Sequence, residues 1–176
     1  TFHSLPKNET VLVDEIQLKM SEEAVPPAPF ENPYPEKEGI LTGFDVEQNT
    51  VEAFKASFQM AEGVEMQISD DAGNPVTSGR VGTGMTVTLL TGAAQLARYQ
   101  IVVYGDVTGN GTVDSADLLM LKRHILQTKT LDGLFLQAAD ADRNQGSRIN
   151  SADLLAMKRG VLGIQRIEQN EKSVLS

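Results

Sequence analysis

The sequence predicts a multi-domain α+β protein. A small β-rich module (Ig-like or α+β) is followed by an all-α module of two loop–helix repeats with a connecting helix. Three observations support this fold class: prolines crowd near the N-terminus, polar and apolar residues alternate in the middle, and a segment near the C-terminus repeats itself. The predicted organisation is a tail and Pro/Glu-rich linker over 1–38, a β-rich module over 39–104, a repeat module over 105–163, and a C-terminal tail over 164–176.

Composition excludes several classes of protein. The 176-residue chain carries a net charge of −9 and no cysteine. It therefore forms no disulfide, Cys-ligated zinc site or iron–sulfur cluster. Residues 1–104 hold 15 acidic and 6 basic side chains, whereas residues 105–176 hold 9 of each. A chain without a basic stripe is not expected to bind nucleic acid, and no apolar run approaches the roughly 18 residues of a membrane span.

The N-terminal region has the composition of a spacer. Five of the seven prolines lie within residues 24–38 among acidic residues, which favours an extended, semi-rigid linker. Residues 11–20 alternate partly, as the last strand of an upstream domain would. The first four residues resemble no secretory signal, and we expect the chain to be the C-terminal piece of a larger protein.

Residues 39–104 predict short strands and one helix. Strands are expected at 39–44, 64–69, 81–90 and 99–104, with a turn at residues 70–75. The cap signature Asn-Thr-Val-Glu opens a helix whose inward face carries Val51, Phe54 and Phe58. Catalytic residue types do not concentrate here, so we expect a structural module.

Residues 105–163 contain an internal repeat. Residues 112–126 align with residues 148–162 at an offset of 36, with eight of fifteen positions identical. The exchanges Val113/Ile149, Leu121/Met157 and Ile125/Val161 preserve apolar character. Such self-similarity indicates two copies of one structural unit.

The first copy begins with the twelve-residue spacing of an EF-hand calcium loop, residues 106–117. Oxygen donors stand at alternate positions, Gly111 occupies the turn at position 6, and a carboxylate closes the loop at position 12. Position 12 is Asp instead of Glu and positions 3 and 5 are uncharged, which favours a lower affinity than usual. The predicted ligands are Asp106, Thr108, Asn110, Thr112 through its carbonyl, Asp114 and Asp117.

The second loop is less regular, because it spans fourteen residues, 140–153, two more than an EF-hand loop. A twelve-residue window can start at Asp142, but it places Gly146 at a ligand position. An expanded loop keeps the alternating donors and Gly146 at the turn, and we favour it. Its predicted ligands are Asp140, Asp142, Asn144, Arg148, Asn150 and Asp153. Two calcium ions are expected, although the second loop departs from the twelve-residue spacing.

Each loop runs into a predicted helix, at residues 115–127 and 151–162, and residues 131–139 form a connecting helix. Apolar residues recur at helical spacing along both copies, giving each helix an inward stripe. A unit this small has little core, so bound calcium is expected to contribute to its folding.

These loops, followed by Ser-Ala-Asp-Leu-Leu and then Lys-Arg in both copies, resemble a type I dockerin. The preceding stretch is similar to the X-type module found upstream of dockerins, through residues 81–87 and 99–106. The resemblance implies a non-catalytic module that binds a cohesin of a scaffoldin and anchors a secreted, often polysaccharide-degrading, parent protein in a cellulosome-like complex. It also implies an extracellular or cell-surface location in an anaerobic bacterium. We expect the free chain to be a monomer.

The resemblance further implies that loop positions 10 and 11 and the following helix contact the partner. Because both copies carry the same residues, it implies two binding orientations related by a rotation of about 180°. Ala at position 11, where many relatives have Thr, leaves the cohesin class open. The implied contact residues are Ser115, Ala116, Leu119, Lys122 and Arg123 in the first copy, and Ser151, Ala152, Leu155, Lys158 and Arg159 in the second.

Three other functions fit less well. An EF-hand sensor needs an entering helix before each loop, and the first loop follows an apparent strand. An enzyme is not indicated, because the two histidines stand apart and the suggestive carboxylates are predicted calcium ligands. A carbohydrate-binding accessory module usually displays an aromatic platform, whereas the aromatic residues of 39–104 lie mostly at core-like positions.

Overall fold

The computed structural model describes residues 28–144 and 148–170. The sheets and one helix lie in the N-terminal part of the chain and three helices lie in the C-terminal part, which agrees with the predicted α+β class. The elements are β1 (Phe30–Glu31), β2 (Glu36–Lys37), β3 (Ile40–Leu41), α1 (Val51–Ser57), β4 (Gln59–Met60), β5 (Val64–Ser69), β6 (Thr86–Thr91), β7 (Ala94–Ile101), α2 (Ser115–Ile125), α3 (Gly133–Ala138) and α4 (Ser151–Val161).

The strands form two sheets. Strands β1 and β4 pair antiparallel, and the larger sheet has the order β2-β3-β7-β6-β5. Only β3 and β7 pair in parallel among these strands; their neighbours pair antiparallel. Helix α1 begins after Thr50, whose hydroxyl accepts a hydrogen bond from the Ala53 N–H. As predicted, Val51, Phe54 and Phe58 are buried.

Two hydrophobic cores meet along residues 101–104. Ile101 and Val103 belong to the core of the sheet module, whereas Val102 and Tyr104 belong to the core of the helices. Extended backbone sends successive side chains to opposite sides. One stretch of chain therefore contributes to both cores.

Part of the segment predicted as a linker is folded, because residues 30–31 form β1 and residues 36–37 form β2. Tyr34 packs among three phenylalanines, with ring centroids 4.6 Å from Phe44, 5.2 Å from Phe54 and 5.9 Å from Phe58. The Thr42 N–H donates to the Pro35 carbonyl at 3.0 Å. Proline is tolerated in edge strands because its missing N–H is not needed there. The predicted strand at residues 11–20 lies outside the described residues.

Two other predicted strands are displaced. The strand expected at 81–90 begins only at Thr86, and the one expected at 99–104 is the end of β7 at Ile101. Residues 82–84 instead form a glycine-containing turn: Gly84 has φ +88°, and its N–H donates to the Ile101 carbonyl. The Thr83 hydroxyl bonds both the N–H and the carbonyl of Val103. These contacts replace regular strand pairing.

The helical half follows the repeat. Helices α2 and α4 pack against each other, and the fully buried Leu121 and Met157 occupy equivalent positions in them. The connecting helix α3 is shorter than predicted, because Leu131 and Asp132 precede its first turn. Within the described ranges, no helix has the length and apolar character needed to cross a lipid bilayer.

We expect Phe54→Ala to destabilise the sheet module by about 3–5 kcal/mol, because it empties a buried site among aromatic rings. Phe54 is 1% exposed and contacts Tyr34, Phe44 and Phe58. Urea unfolding monitored by circular dichroism measures the change. Met60→Ala, at a residue 37% exposed, is the matched control and should change stability little; equal losses would contradict the packing described.

Candidate calcium loops and partner-binding helices

The first loop is organised around the buried carboxylate of Asp106. Its Oδ1 accepts hydrogen bonds from the N–H groups of Gly109 (2.7 Å) and Asn110 (3.1 Å). Its Oδ2 accepts from the N–H groups of Thr83 (3.0 Å) and Gly111 (2.9 Å). Burial raises the pKa of Asp106 to about 6, although the hydrogen bonds from Thr83 and Gly111 oppose this shift. The charged form is therefore costly to keep buried unless a cation is close.

Asp117 links the end of this loop to helix α2. Its Oδ1 accepts hydrogen bonds from the N–H groups of Val107 and Thr108 (both 2.9 Å) and from the Thr108 hydroxyl (2.8 Å). Its Oδ2 accepts from the Asp114 N–H at 2.9 Å, as part of a capping box at the helix start. Burial raises the pKa of Asp117 as well. One side chain thus fixes both the loop and the first turn of the helix.

The other predicted ligands of the first loop join the same network. The Asn110 Oδ1 accepts from the Thr112 N–H (2.8 Å) and hydroxyl (2.6 Å), and the Thr112 hydroxyl lies 3.0 Å from the Asp114 Oδ2. Asp114 is the N-cap of α2 and accepts from the Ala116 N–H at 2.6 Å, which lowers the pKa of Asp114. All six predicted ligand residues therefore lie in one hydrogen-bonded loop.

The second loop brings three carboxylates together. Oxygen atoms of Asp140, Asp142 and Asp153 lie within 4.8 Å of one another. The Asp153 carboxylate accepts from the N–H groups of Asp142 (3.3 Å) and Asn150 (2.9 Å), and its burial raises its pKa. The Asn144 N–H donates to the carboxylates of Asp140 (3.2 Å) and Asp142 (3.1 Å). This arrangement supports alternating donors starting at Asp140.

The remaining predicted ligands of the second loop lie at the start of α4. Asn150 is the N-cap of this helix: its Oδ1 accepts from the Ala152 N–H at 2.8 Å. The Asn150 amide donates to the Arg148 carbonyl at 2.8 Å. Residues 145–147, where the two extra residues were expected to bulge, lie outside the described residues.

Both loops offer the oxygen types that suit calcium, but among the described residues only Asp140, Asp142 and Asp153 bring three carboxylates within 4.8 Å of one another. Carboxylate, carbonyl and amide oxygens are the ligands that Ca²⁺ prefers, usually six to eight in number. Buried carboxylates whose charged forms are disfavoured gain most from a divalent cation, because its charge offsets their mutual repulsion. Bound calcium would supply this charge and add coordination bonds to the folded state.

The implied partner-binding residues are exposed in both copies, and the two helices share one exposure pattern from 115 to 126 and from 151 to 162. Leu119 is 49% exposed and Leu155 48%. Leu126 and Leu162, which sequence analysis did not select, are 61% and 60% exposed. The repeat alignment itself signals them, since leucine ends both copies.

Identity between the helices is concentrated on the exposed face. All six exposed positions of the first helix stretch hold the same residue as their counterparts in the second, and all four positions that differ are buried or half-buried. The exposed residues are Ser115, Ala116, Leu119, Lys122, Arg123 and Leu126, with counterparts Ser151, Ala152, Leu155, Lys158, Arg159 and Leu162. Solvated residues without a role are usually free to change.

In excess chelator, we expect Asp117→Ala to lower the free energy of unfolding by about 1–3 kcal/mol, because it leaves buried N–H groups without acceptors. Asp153→Ala should cost less, since Asp153 accepts two hydrogen bonds from described residues and Asp117 accepts four. Urea unfolding of both variants measures the difference. A larger loss for Asp153→Ala would contradict this account of the loops.

The comparisons with known proteins agree with this geometry. Residues 104–162 match the model of the dockerin type I domain family. No curated protein and no solved structure matched the chain. A dockerin is a non-catalytic module that binds calcium and, in a calcium-dependent manner, a cohesin module in a cellulosome-type assembly. This match covers the two loops, helices α2, α3 and α4, and the whole of the duplicated exposed face.

Proposed function

We propose that this chain anchors its parent protein to a scaffoldin, through calcium-dependent binding of a cohesin module by helix α2 or α4. The observation that carries the proposal is that every exposed position of the two helix stretches is identical between the copies, whereas every position that differs is buried or half-buried. Six residues that contribute little to the core are the same in both copies. Of the six buried or half-buried positions between them, four differ, and the two that do not are the loop-closing aspartate and the leucine that follows it. A shared binding partner explains this pattern better than folding does.

The loops explain why binding depends on calcium. Ser115 and Ala116 lie between the predicted ligands Asp114 and Asp117, and Ser151 and Ala152 hold the same place in the second copy. The loop-closing carboxylate also holds the first turn of its helix. A calcium ion bound to the loop would therefore fix the direction of the helix and the positions of the partner-contacting residues. We propose one ion in each loop.

The exposed row combines apolar and basic chemistry. Leu119 and Lys122 follow Ser115 at helical spacing, so they lie along one side of α2, with Arg123 beside them. An apolar centre with basic residues around it favours a partner surface with an apolar patch and acidic rim. Helix α4 presents the same row, which supports two alternative orientations of the partner.

We propose a structural role for the upstream module. Phe44, Phe54, Phe58 and Tyr104 are each at most 5% exposed and Tyr99 is half-buried, so these residues form no exposed aromatic platform for a sugar ring. The sensor alternative is also disfavoured, because strand β7 and not a helix precedes the first loop. We further propose that the parent protein is secreted and that it acts on polysaccharide.

We expect calorimetric titration with a panel of cohesins to give one tight 1:1 complex that is lost in excess chelator. Removing calcium should release the loops and disorder the helix starts that carry the contact residues. Calcium uptake without binding to any cohesin would contradict the proposal.

We expect Leu119→Glu or Leu155→Glu alone to change cohesin affinity only a few-fold, because the other helix remains usable. The double variant should lose about 30-fold or more, the equivalent of a hot spot worth about 2 kcal/mol. Met60→Glu, at an exposed apolar residue of the sheet module, is the control for added charge. Full loss from one substitution would rule out two equivalent orientations.

A further inference from the structure

The first calcium loop is contacted by side chains and backbone of the upstream module. Asn49 is 4% exposed, and its amide donates to the Gly111 carbonyl at 2.8 Å and to the Val81 carbonyl at 2.7 Å. The Asn49 Oδ1 accepts from the Arg80 guanidinium at 2.7 Å. The amide is thereby held in one orientation, pointing its N–H groups at the loop.

A second contact reaches a predicted calcium ligand directly. The Thr83 N–H donates to the Asp106 Oδ2 at 3.0 Å. The Thr83 hydroxyl accepts a hydrogen bond from the Val103 N–H and donates one to the Val103 carbonyl. These bonds fix the direction of the Thr83 N–H. Asp106 therefore receives one hydrogen bond from a residue more than twenty positions upstream, in addition to those from its own loop.

The backbone of the two segments is in close contact. A Cβ atom added at Gly82 would lie 2.5 Å from the Gly109 carbonyl oxygen and 2.6 Å from the Gly111 nitrogen. At Gly111, a Cβ would lie 2.6 Å from the Arg80 Cβ. Side chains at either position would separate the turn at 82–84 from the loop.

We propose that Asn49 and the Thr83 N–H are positioning groups of the first calcium site, so that residues of the upstream module set the calcium affinity of that loop. Gly111 immediately precedes Thr112, whose carbonyl is a predicted ligand, and Thr83 orients a predicted ligand oxygen of Asp106. Groups that hold ligands in place before the ion arrives raise affinity by reducing the ordering that binding requires. The inference rests on the proposed calcium binding by this loop.

The second loop is held by a different set of contacts. Arg143 lies over the ring of Tyr104, with its guanidinium carbon 3.3 Å from the ring centroid, and it donates to the Asn170 carbonyl at 3.3 Å. A change at Asn49 should therefore act mainly on the first loop. Because binding energies are reciprocal, calcium in the first loop should in turn stabilise the turn at residues 82–84.

The test is Asn49→Leu in the full chain, a substitution of similar size that removes the amide and adds no charge. Calcium titration followed by NMR reads the two loops separately, through the amide signals of Val113 and Ile149. We expect about a tenfold loss of affinity at Val113 and little change at Ile149. Ile68→Val, in the sheet core away from the loop, controls for general loss of stability.

Equal losses at both amides, or none, would overturn the inference. If wild-type Val113 does not respond to calcium at all, the proposed calcium function of the first loop fails instead. Gly82→Ala is the second variant, because its methyl group intrudes on the loop, and we expect the same selective loss.

Hydrogen exchange of the unaltered chain gives a readout that needs no variant. The Thr83 amide should exchange more slowly with calcium than with chelator, in step with the amides of Val107 and Thr108. An unchanged Thr83 rate beside a slowed Val107 rate would overturn the coupling.

Discussion

The carboxylates of Asp106, Asp117 and Asp153 are at most 1% exposed, and the loops and helix starts are built around them. An ionised carboxylate in a protein interior is costly unless hydrogen bonds or a cation compensate for lost water. The described hydrogen bonds to these carboxylates come from backbone N–H groups and the Thr108 hydroxyl. Such donors satisfy the hydrogen-bonding capacity of the oxygens but do not neutralise their negative charges. A divalent cation would neutralise them. Folding of the helices and metal binding are thereby coupled.

The same constraint determines how the two halves meet. Asp106 is buried partly by its own loop and partly by the turn at residues 82–84, and the chain reaches it directly from strand β7. Alternation along 101–104 gives side chains to both cores. A sharp boundary at residues 104 and 105 remains a prediction from composition. The sheet module and the helical module share the backbone segment 101–104, and the buried Asp106 carboxylate accepts hydrogen bonds from both.

Local signals account for what could be predicted from the sequence. Helices α2 and α4 were placed within two residues, because each starts at a capping aspartate or asparagine and carries its own apolar stripe. The packing of Tyr34 was not predicted, because it depends on phenylalanines that are distant in sequence. The strand predicted at 81–90 starts only at Thr86, because the residues before it contact a loop more than twenty positions away. Asn49 resembled a helix-capping residue, and nothing in its surroundings in sequence indicates the Gly111 carbonyl.

The differences between the two copies have packing reasons, which sharpens the meaning of what they share. His124 accepts a hydrogen bond from the Leu131 N–H through its Nδ1 at 2.9 Å, and so fixes the chain that leaves α2. Its counterpart Gly160 leaves room for Ile167 of the C-terminal segment, which a Cβ there would meet at 3.1 Å. This inner position thus suits different neighbours in the two copies. The outer positions face solvent in both copies and would be the first to diverge without a common partner. Their identity is therefore evidence of a constraint from outside the chain. The two helices differ on the side that packs inside the module and are identical at the positions that face solvent.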